Sequence, residues 1–279
     1  MKFEVSAKLK YEVLASSTLI LNVEALMAGS QFVLEESFEA DQDLKMYNWN
    51  AVAGEKRFKV IELPANGEVN LSYRAVVENT CRVVPAKQLD ETMISLMPVS
   101  VLPYLNPSRY CPSDKLYQFA ADKFGKINIP YEQVLAVRDW IYKHVEYRAG
   151  HSTANTSAAD TLNDKKGVCR DFAHLGIALC RALTIPARYF TGYAYKLKPQ
   201  DFHACFEVYL GGCWIIVDAT KLVPVNGLVK IATGMDASDS ALASIFGNLK
   251  YLAMEVNTTA LDEKFEDVDI VNSQGYSYQ

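Results

Sequence analysis

Several things this 279-residue chain lacks narrow its chemistry at once. It has no basic tail and no cluster of Lys or Arg, and its net charge is -5. Nucleic acid and anionic membrane are therefore not expected partners. No apolar run approaches the length of a bilayer span. The N-terminal Met1-Lys2-Phe3-Glu4-Val5 alternates charged and apolar residues from the start, with no apolar core of a secretion signal, so the expected location is the cytoplasm. None of the six cysteines (Cys81, Cys111, Cys169, Cys180, Cys205, Cys213) forms C-x-x-C, and they are too sparse for a disulfide scaffold. Free thiols are expected. The four histidines, His144, His151, His174 and His203, fall in no zinc-binding spacing, and no phosphate-binding glycine loop or G-x-S-x-G elbow occurs. Neither metal nor cofactor is expected.

What is present reads as two textures. Residues 2–13 alternate strictly, with Phe3, Val5, Ala7, Leu9, Tyr11 and Val13 on one face. That pattern predicts a half-buried antiparallel strand. Strand-like runs follow at 18–23, 31–38, 57–63 and 69–77, and Asn66-Gly67 is a hairpin turn signal. No amphipathic helix is visible in this region, so residues 1–100 are expected to form a β-sandwich-like domain. Pro85, Pro98, Pro103, Pro107 and Pro112 then mark an irregular linker. Helices are predicted over 113–124, from Pro130 to about Val145, over 157–164, and from Cys169 to Ile185, where Pro186 stops the last. Strands return at 187–195, 203–210 and 213–218. Residues 237–252 read as a possible helix and the last dozen as loose. The expected class is α+β, with residues 101–279 forming a core of helices packed on an antiparallel sheet.

Gly167-Val168-Cys169-Arg170-Asp171-Phe172 places a cysteine at the start of a helix. Unpaired N–H groups and the positive dipole end there favour a negative side chain. The plain alternative is a small buried hydrophobe. The hairpin from His203 to Asp218, turning at Gly211-Gly212, adds more. If Leu210 pairs with Cys213, Cys205 lies opposite Asp218. His203 shares the face of Cys205, so His203 and Asp218 become diagonal neighbours about 7–8 Å apart at Cα. Cysteine, histidine and carboxylate are the parts of a thiol triad. Each alone has a structural reading: a hydrogen-bonded strand histidine, a turn aspartate. A metal site from Cys169, Cys205 and His203 has poor spacing. Asp171 reads as a cap or a structural ion pair, His174 as a packing histidine, and Glu207 as a group needing a partner if buried.

These segments resemble the transglutaminase-like superfamily, and most of all its bacterial members with a β-rich N-terminal domain. The phrases that carry the resemblance are Gly167 to His174, Asp201-Phe202-His203-Ala204 and Val217-Asp218-Ala219-Thr220. Asn106-Pro107-Ser108-Arg109-Tyr110-Cys111, Thr156-Ser157-Ala158 and Gly234-Met235-Asp236-Ala237-Ser238-Asp239 match as well. The resemblance implies a papain-like core with Cys169 as nucleophile, His203 as general base and acid, and Asp218 as the orienting carboxylate. It implies a thiol hydrolase or acyltransferase acting on peptide or protein amides, with hydrolysis favoured over cross-linking. The alternative is a non-catalytic binding or scaffolding module on the same fold. One departure stands out: many relatives carry tryptophan where this chain has Cys205. The oxyanion hole is expected to use the Cys169 N–H, with Asn155 and Tyr195 as guesses for a second donor.

Overall fold

A computed structural model describes residues 1–27, 29–51, 55–90, 92–271 and 273–278. The chain opens with strands β1 (Lys2–Val13), β2 (Ser17–Leu21), β3 (Gln31–Ala40), β4 (Lys45–Asn50), β5 (Arg57–Leu63), β6 (Gly67–Asn79) and β7 (Arg82–Pro85). Burial along β1 alternates as its sequence predicts: Phe3, Val5, Ala7, Leu9, Tyr11 and Val13 are inside. Asn66 and Gly67, both at positive φ, turn the chain between β5 and β6. Strand β4 escaped the sequence reading because all six of its residues are exposed, so no alternation marks it.

Helices α1 (Ser113–Phe124), α2 (Pro130–His144), α3 (Ala158–Asp164) and α4 (Cys169–Ala182) follow, with the short strands β8 (Glu146–Tyr147) and β9 (Lys166–Gly167) around α3. No α-helix precedes Ser113 among the described residues. Among the described residues, 86–112 hold only short 3-10 turns, as Pro98, Pro103, Pro107 and Pro112 disfavour longer regular elements. Strands β10 (Ala187–Ala194), β11 (Phe202–Leu210), β12 (Cys213–Val217) and β13 (Leu228–Gly234) then form a sheet in the order β12-β11-β10-β13. Every residue of these four strands is buried. Helix α4 covers one face of this sheet, with Gly176 lying on the Phe206 ring and Leu175, Ile177 and Leu179 in the same apolar cluster as Ala204, Phe206 and Val208. The other face is covered by a cluster that includes Tyr276 and Tyr278. A sheet covered on both sides loses its alternation, which explains why β13 left no sequence signal.

The C-terminal sequence corrects three expectations. Residues 237–252 form no helix: β14 (Ala243–Phe246) and β15 (Leu249–Ala260) are strands. They also leave the helical half. β14 pairs with β2 and β15 with β1, giving two sheets, β14-β2-β5-β4 and β15-β1-β6-β3, around one shared apolar core. The expectation that residues 101–279 act as one core therefore gives way to a chain that returns to complete the first domain. Cross-strand pairing outweighs the weak helical pattern of 237–252. Nor is the tail loose, because β16 (Gln274–Ser277) pairs with β7 and buries Tyr276 and Tyr278.

Gly176 lets α4 lie directly on β11. A Cβ there would sit 2.4 Å from Cε1 of the fully buried Phe206 ring. Gly176→Ala gains about 1 kcal/mol of helix propensity, yet overpacking a rigid ring costs about 1–3 kcal/mol. We expect net destabilisation, seen as a lower denaturant midpoint; a higher midpoint would show that α4 can lift off the sheet freely.

Candidate active site

The start of α4 is built by Asp171. Its Oδ2 accepts from the Val168 N–H at 2.8 Å and from the Ser152 hydroxyl, and Arg170 approaches its Oδ1 at 3.2 Å. The carboxylate is fully buried. It folds back so closely that a Cβ on Gly167 would meet the Asp171 Cβ at 2.6 Å. The Gly-Val-Cys-Arg-Asp spacing is thus steric: glycine makes room for the carboxylate that stops the chain and starts the helix. Cys169 is the first residue of that helix and is partly exposed, while Asp171 has the structural place expected of it.

The hairpin follows the expected register. Leu210 pairs with Cys213, and the ladder runs on to Phe206 opposite Val217. One step further sets Asp218 opposite Cys205. His203 and Asp218 meet as diagonal neighbours, with Nε2 3.0 Å from Oδ2. Both side chains are buried. Oδ1 of Asp218 accepts from the Thr220 N–H at 2.8 Å and from its hydroxyl at 2.7 Å. Thr220 ends the Val217-Asp218-Ala219-Thr220 segment, and sequence reasoning assigns it no role. Its place two residues after Asp218 is the side-chain turn spacing that could have revealed it.

Burial alone would push the His203 imidazole toward neutrality. The charge of Asp218, its hydrogen bond and Cys169 outweigh that and raise the imidazole well above its ordinary value. Burial likewise opposes ionisation of Asp218, and His203 with Thr220 draws its carboxyl below the usual range. With Nε2 on Asp218, the second ring nitrogen Nδ1 is buried and, among the described residues, has no hydrogen-bond partner apart from the approach of the Cys169 thiol to the ring. Cys169 is the thiol that acts on this ring. The site therefore joins a helix start, an imidazole with one nitrogen uncommitted, and a buried carboxylate.

Cys169 and His203 open into a cleft of about 490 Å³. Its walls include Tyr110, Tyr189, Phe202 and Leu242, with Arg170 the one charged side chain besides the pair itself and no carboxylate. The family phrases around it are structural clamps. Arg181 donates to Asn106 O, Ser108 Oγ, Met235 O and Ala187 O. Asp236 accepts from the Tyr110 N–H at 2.7 Å and from the N–H and hydroxyl of Ser238. His174 stacks on Tyr110 at 5.1 Å, and its Nε2 accepts from the Ala237 N–H. Burial pushes it down to about 3 against the pull of Asp236, so it is a neutral packing group. Glu207, also buried, finds Arg188 at 2.5 Å and Lys230 at 3.2 Å.

Other expectations change. Cys205, on the strand face of His203, is buried in a cluster with Phe190, Ile216 and Tyr278 and does not line the cleft. Its replacement of tryptophan therefore does not widen the cleft directly. Tyr195 packs against Phe265 and Phe3 in the other half, so it is no oxyanion donor. Asn155 is exposed in a loop, where its N–H donates to Thr153 Oγ1. Among the described residues no group of three or more His, Cys, Asp or Glu could hold a metal. Sequence reasoning missed Tyr147, whose ring lies 5.8 Å from Phe172 on α4. Burial first, and then Cys169, raise its phenol.

Residues 117–219 match the model of the transglutaminase-like superfamily, and residues 1–100 match that of the bacterial transglutaminase N-terminal domain. A candidate cysteine protease from Cytophaga hutchinsonii is 48% identical, with a TM-score of 0.98, over 100% of this chain and 98% of that one. The chain belongs to the transglutaminase-like superfamily. An uncharacterised protein of Mycobacterium leprae is 27% identical to this transglutaminase-like chain over 49% of it, and the match spans about half, 52%, of that relative's length. An uncharacterised Mycobacterium tuberculosis protein is 35% identical over 32% of this chain and 28% of its own. The transglutaminase-like fold, with a full-length neighbour considered a cysteine protease, supports a thiol-dependent enzyme.

The His203–Asp218 pair sets a pH dependence of stability. Asp218 has a depressed folded value, so its ionised form stabilises above the unfolded carboxyl value near 3.8 and the effect fades as pH falls through the folded value. The stability advantage of the native chain over Asp218→Asn should therefore shrink as pH drops below about 4. Denaturant titrations of both from pH 3 to 7 check this. Because the raised His203 value adds to the advantage down to about pH 5, the decisive range is below pH 4, and an advantage that still grows there would contradict the pairing.

Proposed function

We propose that this protein is a thiol hydrolase of peptide or protein amides. The observation that carries the reading is the uncommitted Nδ1 of buried His203, tied through Nε2 to Asp218 and set beside Cys169 at the start of α4. Protonated, the imidazole is the counter-ion that a thiolate needs. Cys169 Sγ attacks the amide carbonyl and a C–S bond forms. The negative oxygen faces the Cys169 N–H at the helix start. His203 gives its proton to the departing amine nitrogen as the C–N bond breaks, leaving an acyl-thioester. Water then attacks, His203 takes its proton, and the C–S bond breaks to free the acid. Asp218 holds the ring in orientation throughout and stays ionised.

Hydrolysis is favoured over cross-linking by the charge of the cleft. An acceptor lysine would bring a cation, and the lining offers it Arg170 and no carboxylate. Water meets no such barrier. A cytoplasmic site of action, with neither nucleic acid nor membrane as partner, is part of the proposal.

Thiol reactivity tests it. The other five cysteines are held protonated by burial: Cys81 and Cys180 are pushed up to about 12, and Cys111, Cys205 and Cys213 are raised as well. At pH 6, iodoacetamide should label Cys169 fastest, by site-resolved mass spectrometry, and the rate should persist as pH falls. A free thiol of reference value about 8.5 would be below one per cent thiolate there. His203→Ala should lower the low-pH rate about tenfold or more, and Asp218→Ala should lower it less. Labelling of Cys169 no faster than Cys81, unchanged by His203→Ala, would favour the binding-module alternative instead.

A further inference from the structure

The wall of the cleft continues into a strand with an open edge. Ser240, Ala241, Leu242 and Ala243 line the same cleft as Cys169 and His203, and β14 begins at Ala243. In its sheet β14 is the terminal strand, paired with β2 alone. The turn at 247–248 sends β15 into the other sheet, so it does not cover this edge.

The phase of the β14–β2 ladder follows from one bond. The Asn22 N–H donates to Leu242 O at 2.9 Å, and the register runs Ala243 opposite Leu21, Ser244 opposite Ile20 and Ile245 opposite Leu19. Hydrogen-bonded and non-bonded pairs alternate in an antiparallel ladder. Residues 242, 244 and 246 therefore bond toward β2, while Ala243 and Ile245 turn their N–H and C=O groups to the open side. Among the described residues no strand pairs there. Ile245 and Phe246 are 43% and 62% exposed, an apolar surface beside unpaired backbone groups.

We propose that an extended segment of a peptide substrate adds as a strand to the free edge of β14, bonding to Ala243 and Ile245, and is led along it to Cys169. Strand addition takes its affinity from main-chain bonds and leaves side-chain choice to flanking pockets. It suits a cleft whose walls are mostly apolar and neutral. It also gives the N-terminal domain a part in the reaction, since β14 belongs to that domain's sheet. The route to Cys169 rests on the hydrolase reading above, whereas docking on β14 stands apart from it.

Blocked nonapeptides of randomised sequence serve as the probe, with cleavage read by mass spectrometry. Ile245→Pro removes a donor that faces away from β2, so the ladder to β2 is retained, and edge strands tolerate proline at such positions. Ile245→Ala keeps the donor and controls for the side chain. For a cleaved peptide, Ile245→Pro should raise KM about five- to tenfold, the worth of one backbone hydrogen bond. The turnover number and the iodoacetamide rate at Cys169 should hold, and Ile245→Ala should change KM less. Separately, the peptides should slow hydrogen exchange at the Ala243 and Ile245 amides of the Cys169→Ala protein, a readout that needs no catalysis and decides alone if Ile245→Pro does not fold. Unchanged exchange at these amides, or an unchanged KM in folded Ile245→Pro, overturns strand addition and leaves the hydrolase reading standing. Slowed exchange without cleavage by the native protein supports the docking edge and removes the hydrolase.

Discussion

A buried imidazole and a buried carboxylate, 3.0 Å apart, set the terms for the catalytic half of this molecule. Neither charge is tolerable alone in a dry interior. Asp218 is ionised at low cost because His203 and two donors from Thr220 surround it. His203 keeps its proton because Asp218 lies beside it. The pair can form only if the hairpin turns at Gly211-Gly212 in this register, since a one-residue slip would send the two side chains to opposite faces. The same pairing leaves Nδ1 as the only ring nitrogen free for a thiol. Helix α4 then has to begin where it does, and Asp171 with Gly167 fixes that point through a close contact no larger residue permits.

Much of this was legible in the chain. The register of β11 and β12 follows from a two-residue turn, and the start of α4 from a glycine, a cysteine and an aspartate at fixed spacing. The alternation of β1 is plain because one of its faces meets solvent. Where burial is symmetric the signal vanishes. β13 is wholly inside and β4 wholly outside, and neither alternates. The misread stretch from Ala237 to Leu252 shows a different failure. Its strands are specified by partners more than two hundred residues away, Leu21 and Val13 among them, and local pattern carries little of that. Tyr147 was invisible for a similar reason: its approach to Cys169 depends on β8 pairing with β9 across α3.

Long-range pairing also changes how the two halves relate. Strands β14 and β15 complete the N-terminal sheets, and a buried ion network joins Glu55 of the first domain to Arg188 and Lys230 of the second, beside Glu207. Lys56 bonds Asp239 at 2.8 Å, in the loop that leads into the cleft wall. The cleft is therefore shaped by both domains. A catalytic half cut out at residue 100 would lose one wall's support and leave Arg188 and Lys230 short of a carboxylate.

The central claim is that a covalent bond forms on Cys169. Mixing the protein with a cleaved peptide, quenching in acid within the first turnover and mapping the intact and digested masses measures it directly. An acyl adduct should appear on Cys169, be released by hydroxylamine, be absent from Cys169→Ala and last longer in Asp218→Ala. Peptide cleavage that persists in Cys169→Ala, or an adduct found on another residue, would contradict it.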